Sequence, residues 1–153
     1  MIMLQAKDIM TREVITVQEK TLVRELAKIL AERKISGMPV MDENDNMVGV
    51  VTENDLIDQA KKVHIPTVVG ILDSFLFLES PEKLHKDLQK MAGIKAGDIC
   101  CRKVITVEEE TPLDEIATIM AEKKIHTLPV TRDGELVGVI GKTDIIRTLA
   151  QGN

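Results

Sequence analysis

Residues 34–55 read KISGMPVMDENDNMVGVVTEND, and residues 124–144 read KIHTLPVTRDGELVGVIGKTD. The two stretches are one pattern written twice. Lys34-Ile35 with Pro39-Val40 returns as Lys124-Ile125 with Pro129-Val130. Val48-Gly49-Val50 with Asp55 returns as Val137-Gly138-Val139 with Asp144, one residue having been lost in the intervening turn. The match extends outward: Val14-Ile15-Thr16-Val17 recurs as Val104-Ile105-Thr106-Val107, and residues 6–60 realign with 96–150. Roughly two dozen positions coincide over about 55, which marks an internal duplication.

Each copy has the same expected elements. Val14 to Val17 is a short extended piece. Thr21 is expected to cap a helix, and its counterpart Thr111 precedes Pro112 at the expected first helical position. Leu22, Leu26, Ile29 and Leu30 form an apolar stripe, as do Leu113, Ile116, Ala117 and Met120. Arg33-Lys34 and Lys123-Lys124 close these helices in keeping with the helix dipole. Two short strands follow, Met38 to Met41 and Met47 to Val51, joined by Glu43-Asn44-Asp45-Asn46; Arg132-Asp133-Gly134-Glu135 makes the tighter second turn. A second helix runs from Glu53 to about Val63, and from Lys142 to about Ala150.

The expected fold is α+β: two tandem β-α-β-β-α repeats packed with pseudo-twofold symmetry. The first repeat spans 1–62, a helical connector 63–95, and the second repeat 96–153. A unit of about 55 residues buries little surface alone. The sheet faces of the two copies are therefore expected to pack on each other, leaving two equivalent clefts at the seam. In the connector, Ser80-Pro81-Glu82 reads as a helix start with Leu84, Leu88 and Met91 on one face. The apolar stretch Ile65 to Leu78 either packs on the core or adds to a subunit interface.

Composition narrows the function. The chain has 153 residues, 44% hydrophobic and 29% charged, with a net charge of −5. Its 17.0 kDa supports a real core, since a chain of this mass buries about two-thirds of its unfolded surface. Net negative charge argues against nonspecific nucleic-acid binding. The only aromatics, Phe75 and Phe77, provide no base-stacking platform. No apolar run is long enough to span a bilayer. The first eight residues show no basic region followed by an apolar one, so a cytoplasmic location is expected. Cys100 and Cys101 are adjacent and read as partly buried free thiols. No nucleophile–base arrangement, Walker-type loop or metal-ligand cluster stands out, so an enzyme is not expected.

Each repeat resembles a cystathionine β-synthase (CBS) domain. The family signature Gly-aliphatic-aliphatic-Thr/Ser-x-x-Asp reads Gly49-Val50-Val51-Thr52-Glu53-Asn54-Asp55, and Gly138-Val139-Ile140-Gly141-Lys142-Thr143-Asp144. The element aliphatic-x-x-aliphatic-Pro-Val reads Ile35-Ser36-Gly37-Met38-Pro39-Val40, and Ile125-His126-Thr127-Leu128-Pro129-Val130. The resemblance implies a regulatory, noncatalytic module. Such a module binds AMP, ADP, ATP or S-adenosylmethionine in clefts between repeats. It requires no cofactor and tends to form a homodimer; any output passes to a separate effector protein, or else the protein is a ligand buffer. A dimerisation scaffold with empty or otherwise occupied clefts is the alternative.

The resemblance also assigns residues. The first site comprises Thr16, Ile35, Ser36, Gly37, Met38, Pro39, Thr52 and Asp55. The second comprises Thr106, Ile125, His126, Thr127, Leu128, Pro129, Lys142, Thr143 and Asp144. The motif acid would hold the ribose hydroxyls. Thr52, at a helix start rich in unpaired N–H groups, would join a phosphate site. Thr16 and Thr106 would border the adenine, with Ile35, Met38, Ile125 and Leu128 as candidate walls, core being their default reading.

Physical chemistry leaves two readings of the signature open. Gly49 and Gly138 permit close approach of a ligand or another backbone, or else are bulge or packing glycines. Thr52-x-x-Asp55 is also a capping box. In the second copy Gly141 has lost the hydroxyl while Asp144 keeps the acid. Lys142 replaces Glu53, His126 replaces Ser36, and Arg102-Lys103 replaces Arg12-Glu13. The second site is therefore expected to be the more basic and to take the more highly phosphorylated ligand. His126 matches a family pattern that places histidine near phosphate, and reads equally well as a surface residue. His64 and His85 read as surface residues.

Overall fold

A computed structural model describes residues 3–62 and 93–152. The connector helix expected from Ser80, the apolar stretch Ile65 to Leu78, and both His64 and His85 lie outside the described residues. A four-residue helix α1 (Ala6–Ile9) precedes β1 (Val17–Gln18), α2 (Val23–Arg33), β2 (Gly37–Met41), β3 (Met47–Thr52) and α3 (Glu53–Lys62). The second half repeats this order as α4 (Ala96–Ile99), β4 (Val107–Glu108), α5 (Leu113–Lys123), β5 (Thr127–Arg132), β6 (Glu135–Gly141) and α6 (Lys142–Ala150). Of the extended piece Val14 to Val17 only its last residue is in a strand; its counterpart Val104 to Val107 behaves in the same way.

Each half forms a three-stranded sheet, in the orders β1-β2-β3 and β4-β5-β6. β1 runs parallel to β2, with Val17 opposite Val40, and β4 lies on β5 with Val107 opposite Val130. The two hairpins are antiparallel, and both shift register immediately after the proline-valine pair, at Val40/Met41 and Val130/Thr131. The one-residue difference between the copies is absorbed in the turns. In the first, the Asp42 carboxylate accepts from the backbone N–H groups of Asn44 (2.8 Å) and Asn46 (2.9 Å). Those bonds, that of Asn46 foremost, hold its pKa below the ordinary value. In the second, Asp133 and Gly134 both take positive φ, as a two-residue hairpin loop requires.

The two halves exchange their leading segments. One core gathers Val17, Val23, Leu26, Leu30, Met38, Val40 and Val51 from the first half with Ala96 from the second. The other gathers Val107, Ile116, Met120, Leu128, Val130 and Ile140 with Ala6, Ile9 and Met10 from the first. Backbone bonds follow the same cross-over. Ala6 N–H donates to Thr111 O (2.8 Å) and Ala96 N–H to Thr21 O (2.8 Å); Thr11 pairs with Val139, and Cys101 with Val50. Each sheet is thus completed by a short helix from the other copy.

This exchange explains why the expected caps are displaced. Leu22 and Pro112 hold the extended N-cap positions, so neither Thr21 nor Thr111 caps, and Pro112 precedes the first helical residue. The Thr21 hydroxyl accepts from Gln18 N–H and that of Thr111 from Glu108 N–H, both at 3.0 Å, closing the preceding turns. The first helical N–H groups are satisfied across the halves: Val23 donates to Ile94 O and Leu113 to Leu4 O, each at 2.8 Å.

The seam is not a contact of two bulky apolar faces. Met38, Val40, Leu128 and Val130 point into the separate cores. The opposite faces carry Gly37, Pro39, Thr127 and Pro129, all buried, and the halves touch at Gly37 and Thr127. A Cβ on Gly37 would lie 2.8 Å from Thr127 Oγ1, so a small residue is needed where the pseudo-twofold axis passes.

Candidate functional site

The signature glycines serve the exchange. A Cβ on Gly49 would stand 2.7 Å from Cys100 Sγ and 2.8 Å from Cys101 O; a Cβ on Gly138 would overlap Met10. The close neighbour is therefore another part of the chain. Cys100 is half-buried there, and burial pushes its thiol pKa up; Cys101 is exposed, and both are free.

Beyond each glycine the strand runs straight into a helix. Glu53 N–H donates to Ser36 O (2.9 Å) and Lys142 N–H to His126 O (3.1 Å), fixing each helix start against the other strand of its hairpin. Ser36 reaches across the seam, its hydroxyl within 3.2 Å of Thr127 Oγ1 and 3.4 Å of His126 O. The two helix starts face each other closely enough for Lys142 Nζ to lie 4.0 Å from Glu53 Oε1.

The motif acids cap these helices, but unequally. Asp55 Oδ2 accepts from Thr52 N–H (2.8 Å) and from the Thr52 hydroxyl (3.2 Å), while Asp55 N–H leans on Thr52 Oγ1 at 3.4 Å. The capping-box geometry is therefore present. Asp144 keeps half of it, Oδ2 accepting from Gly141 N–H at 2.8 Å. Its Oδ1 accepts from Arg147 Nη2 at 2.6 Å and from Thr11 Oγ1 at 3.2 Å. Asp144 is only 7% exposed.

Asp144 lies in an open cleft of about 250 Å³, just below the usual range of small-molecule sites. One wall comes from the first repeat, through Val14, Ile15, Ile35, Ser36, Gly37 and Pro39. The other comes from the second, through Thr127, Val139, Gly141, Thr143 and Asp144. Arg33, Lys34 and Arg147 supply positive charge at its edge, and Glu13 one negative charge. Lys34 ends α2 in the left-handed conformation, which turns the chain from helix into the cleft wall.

The grouping of residues differs from the sequence expectation. Ile35, Ser36, Gly37 and Pro39, expected around Asp55, line the cleft of Asp144 together with Thr127 and Thr143. Met38 and Leu128 are fully buried in the two cores and are not cleft walls. Thr16 and Thr106 are exposed, and Thr16 is outside this lining although its neighbours Val14 and Ile15 belong to it. Ile125 packs against the second core, Pro129 is buried, and His126 is exposed.

The residues expected to make the second site basic are also placed elsewhere. Lys142, His126, Arg102 and Lys103 are absent from the lining, and Arg102 instead binds Glu19 Oε2 (3.1 Å) and Gly97 O (2.9 Å). The reason is topological: each strand-to-helix junction faces the hairpin entry of the opposite repeat. Sequence reading missed Thr11 and Arg147. The spacing of Asp144 and Arg147, three apart on one helix, was the available signal.

Comparison with known proteins agrees with this architecture. The family model of the CBS domain matches residues 6–62 and 96–151. The uncharacterized protein MJ1426 of Methanocaldococcus jannaschii is 29% identical over 152 residues, spanning 94% of this chain and 89% of that protein. CBS domain-containing protein CBSX1, chloroplastic, of Arabidopsis thaliana is 32% identical over 144 residues; the match takes in 88% of this chain but only 58% of that relative's length. Among solved structures, CBSX2 in complex with AMP aligns with a TM-score of 0.70 at 27% identity, over 96% of both chains. The CBS domain pair of MJ0100, in complex with 5′-methylthioadenosine and S-adenosyl-L-methionine, aligns with a TM-score of 0.70 at 25% identity, over 99% of this chain and 100% of that one. With both copies matched and their exchanged segments in place, the chain belongs to the CBS domain family as a tandem pair.

Proposed function

We propose that the chain is a regulatory, noncatalytic module that binds an adenosine-containing ligand in the cleft of Asp144. The observation that carries this reading is the composite cleft itself. It joins an aliphatic wall (Ile15, Ile35, Val139), a carboxylate at a helix start, and cations at the rim. Aliphatic side chains suit the adenine, the carboxylate suits vicinal hydroxyls, and N–H groups at the start of α6 with Thr143 suit a phosphate. The complexes of CBSX2 with AMP and of MJ0100 with adenosyl compounds support the ligand class. By the pseudo-twofold relation, Thr52, Asp55, Ile125 and His126 would form the matching site.

The test is a thermal-shift panel of AMP, ADP, ATP, S-adenosylmethionine, NAD and GTP. At 100 times its dissociation constant a ligand adds about 2.7 kcal/mol, several degrees of melting temperature. An adenosine compound is expected to give that shift, and Asp144→Ala to remove most of it. If a folded sample responds to no compound, the scaffold reading replaces this one.

The module would act as a homodimer, passing its ligand state to a separate effector. Ile57 and Ile146 stand one turn beyond the Glu53–Lys142 contact and are 64% and 62% exposed; Leu149, also on α6, is 68% exposed. An apolar patch astride a pseudo-twofold axis fits a second copy of itself. Ile57→Lys with Ile146→Lys is expected to leave a folded monomer in sedimentation equilibrium. A dimer unchanged in affinity would exclude this face.

A further inference from the structure

We infer that Arg147 makes the Asp144 cleft selective for phosphorylated nucleosides over neutral or cationic ones; this rests on the adenosine reading of that cleft. A carboxylate offers about four acceptor positions. On Asp144, Oδ1 is engaged by Arg147 Nη2 (2.6 Å) and Thr11 Oγ1 (3.2 Å), and Oδ2 by Gly141 N–H (2.8 Å). One position remains, whereas two vicinal hydroxyls need two. Capture of a ribose therefore displaces a donor already present.

Arg147 is the donor able to move. Its side chain is 58% exposed, against 10% for that of Asp144, and it lines the same cleft as Arg33 and Lys34. The Thr11 backbone is fixed by a bridge to Val139, which keeps its Cβ beside Asp144. Displacing the guanidinium separates an ion pair and leaves three cations around the cleft against Glu13 and a sugar-bound Asp144. A ligand that brings a phosphate restores a partner for the freed guanidinium, bidentately. A neutral nucleoside brings none, and a sulfonium adds a like charge. The resting ion pair thus acts as a stand-in for ligand, and only an anionic ligand replaces both of its halves.

The other acid provides the contrast. Realignment puts Asp58 where Arg147 stands, and the hydrogen bonds to the Asp55 carboxylate among the described residues fall on Oδ2. Among the described residues nothing donates to Oδ1 of Asp55, so a diol meets it there without displacement of a cation. Discrimination by phosphate is thereby a property of one cleft.

The experiment is an amide NMR titration of the full chain with AMP, adenosine and S-adenosylmethionine. Gly141 and Thr143 report the Asp144 cleft; Thr52 and Asn54 report the other. In the wild type, AMP is expected to bind the Asp144 cleft at least about 30-fold more tightly than adenosine, the scale of a charge-assisted pair. In Arg147→Ala, AMP should weaken by about 10-fold or more while adenosine holds or tightens, so that the ratio falls to about 3 or below. Arg147→Lys, which keeps charge without the fork, should fall between. A ratio unchanged by Arg147→Ala, or an equal weakening of both ligands, overturns the inference and leaves the adenosine reading standing. If no adenosine compound moves the Gly141 and Thr143 amides in the wild type, that reading and this inference fall together.

Discussion

Truncation of Ile9 to alanine is expected to cost about 2–5 kcal/mol, and the damage should appear in the half of the molecule to which Ile9 does not belong in sequence. A buried isoleucine reduced to alanine loses its transfer free energy and leaves a cavity. Ile9 is 6% exposed and packs in the core built from Val107, Ile116, Leu128, Val130 and Ile140. Its helix has only four residues and little stability of its own, so the core, not the helix, registers the loss. Native-state hydrogen exchange reads the location, since protection reports local and sub-global opening free energies. Amides of Thr127–Arg132 and Glu135–Gly141 should lose protection first, with Gly37–Met41 and Met47–Thr52 affected less. The reverse order would mean that each repeat folds on its own leading segment and that the exchange is absent.

That exchange shows where sequence reading stops. The duplication, the order of elements and the two hairpins were legible because each rests on local chemistry. α2 and α5 are long enough to show an apolar stripe, and Asp133-Gly134 names its own turn. The leading helices, Ala6–Ile9 and Ala96–Ile99, are a single turn each and have no periodicity to read. Their recurrence was visible, Ala6, Asp8 and Ile9 matching Ala96, Asp98 and Ile99, but nothing in it says which half they cover. The caps failed for the same reason. Thr21 has the right chemistry for an N-cap, yet the orphan N–H it would have served is met by Ile94 O from the exchanged segment.

The site was legible to the same depth. Asp55 and Asp144 follow from the motif, and both stand at helix starts beside the seam. Their surroundings do not follow, because partners in a duplicated fold are assigned by symmetry and a linear reading pairs each acid with its own repeat. Ile35 and Ser36 therefore belong with Asp144, and Arg33 and Lys34 bring the charge that His126 and Lys142 were expected to bring. Period-two alternation explains Met38 and Leu128. Flanked by residues facing the seam, they point the other way into the cores.

Gly49→Ala is expected to destabilise the protein by about 1–3 kcal/mol, the scale of overpacking in a close-packed interior. The new methyl would meet Cys100 Sγ at 2.7 Å and Cys101 O at 2.8 Å. The thiol has some freedom. The carbonyl has none, because Cys101 exchanges backbone hydrogen bonds with Val50 at 2.9 and 3.0 Å. Adding Cys100→Ala should therefore recover only part of the loss, the remainder belonging to the backbone contact. Gly141→Ala is the control within the same motif of the second copy. Gly141 has φ −105, and a Cβ there would come no closer than 3.7 Å to His126 O. Alanine fits that conformation and reduces the freedom of the unfolded chain, so a change of zero to about 1 kcal/mol in the stabilising direction is expected. Urea unfolding at constant m-value measures both variants. A neutral Gly49→Ala would mean that the bridge between Val50 and Cys101 is not formed. The signature glycine would then have to be explained by a ligand instead of by the exchanged segment.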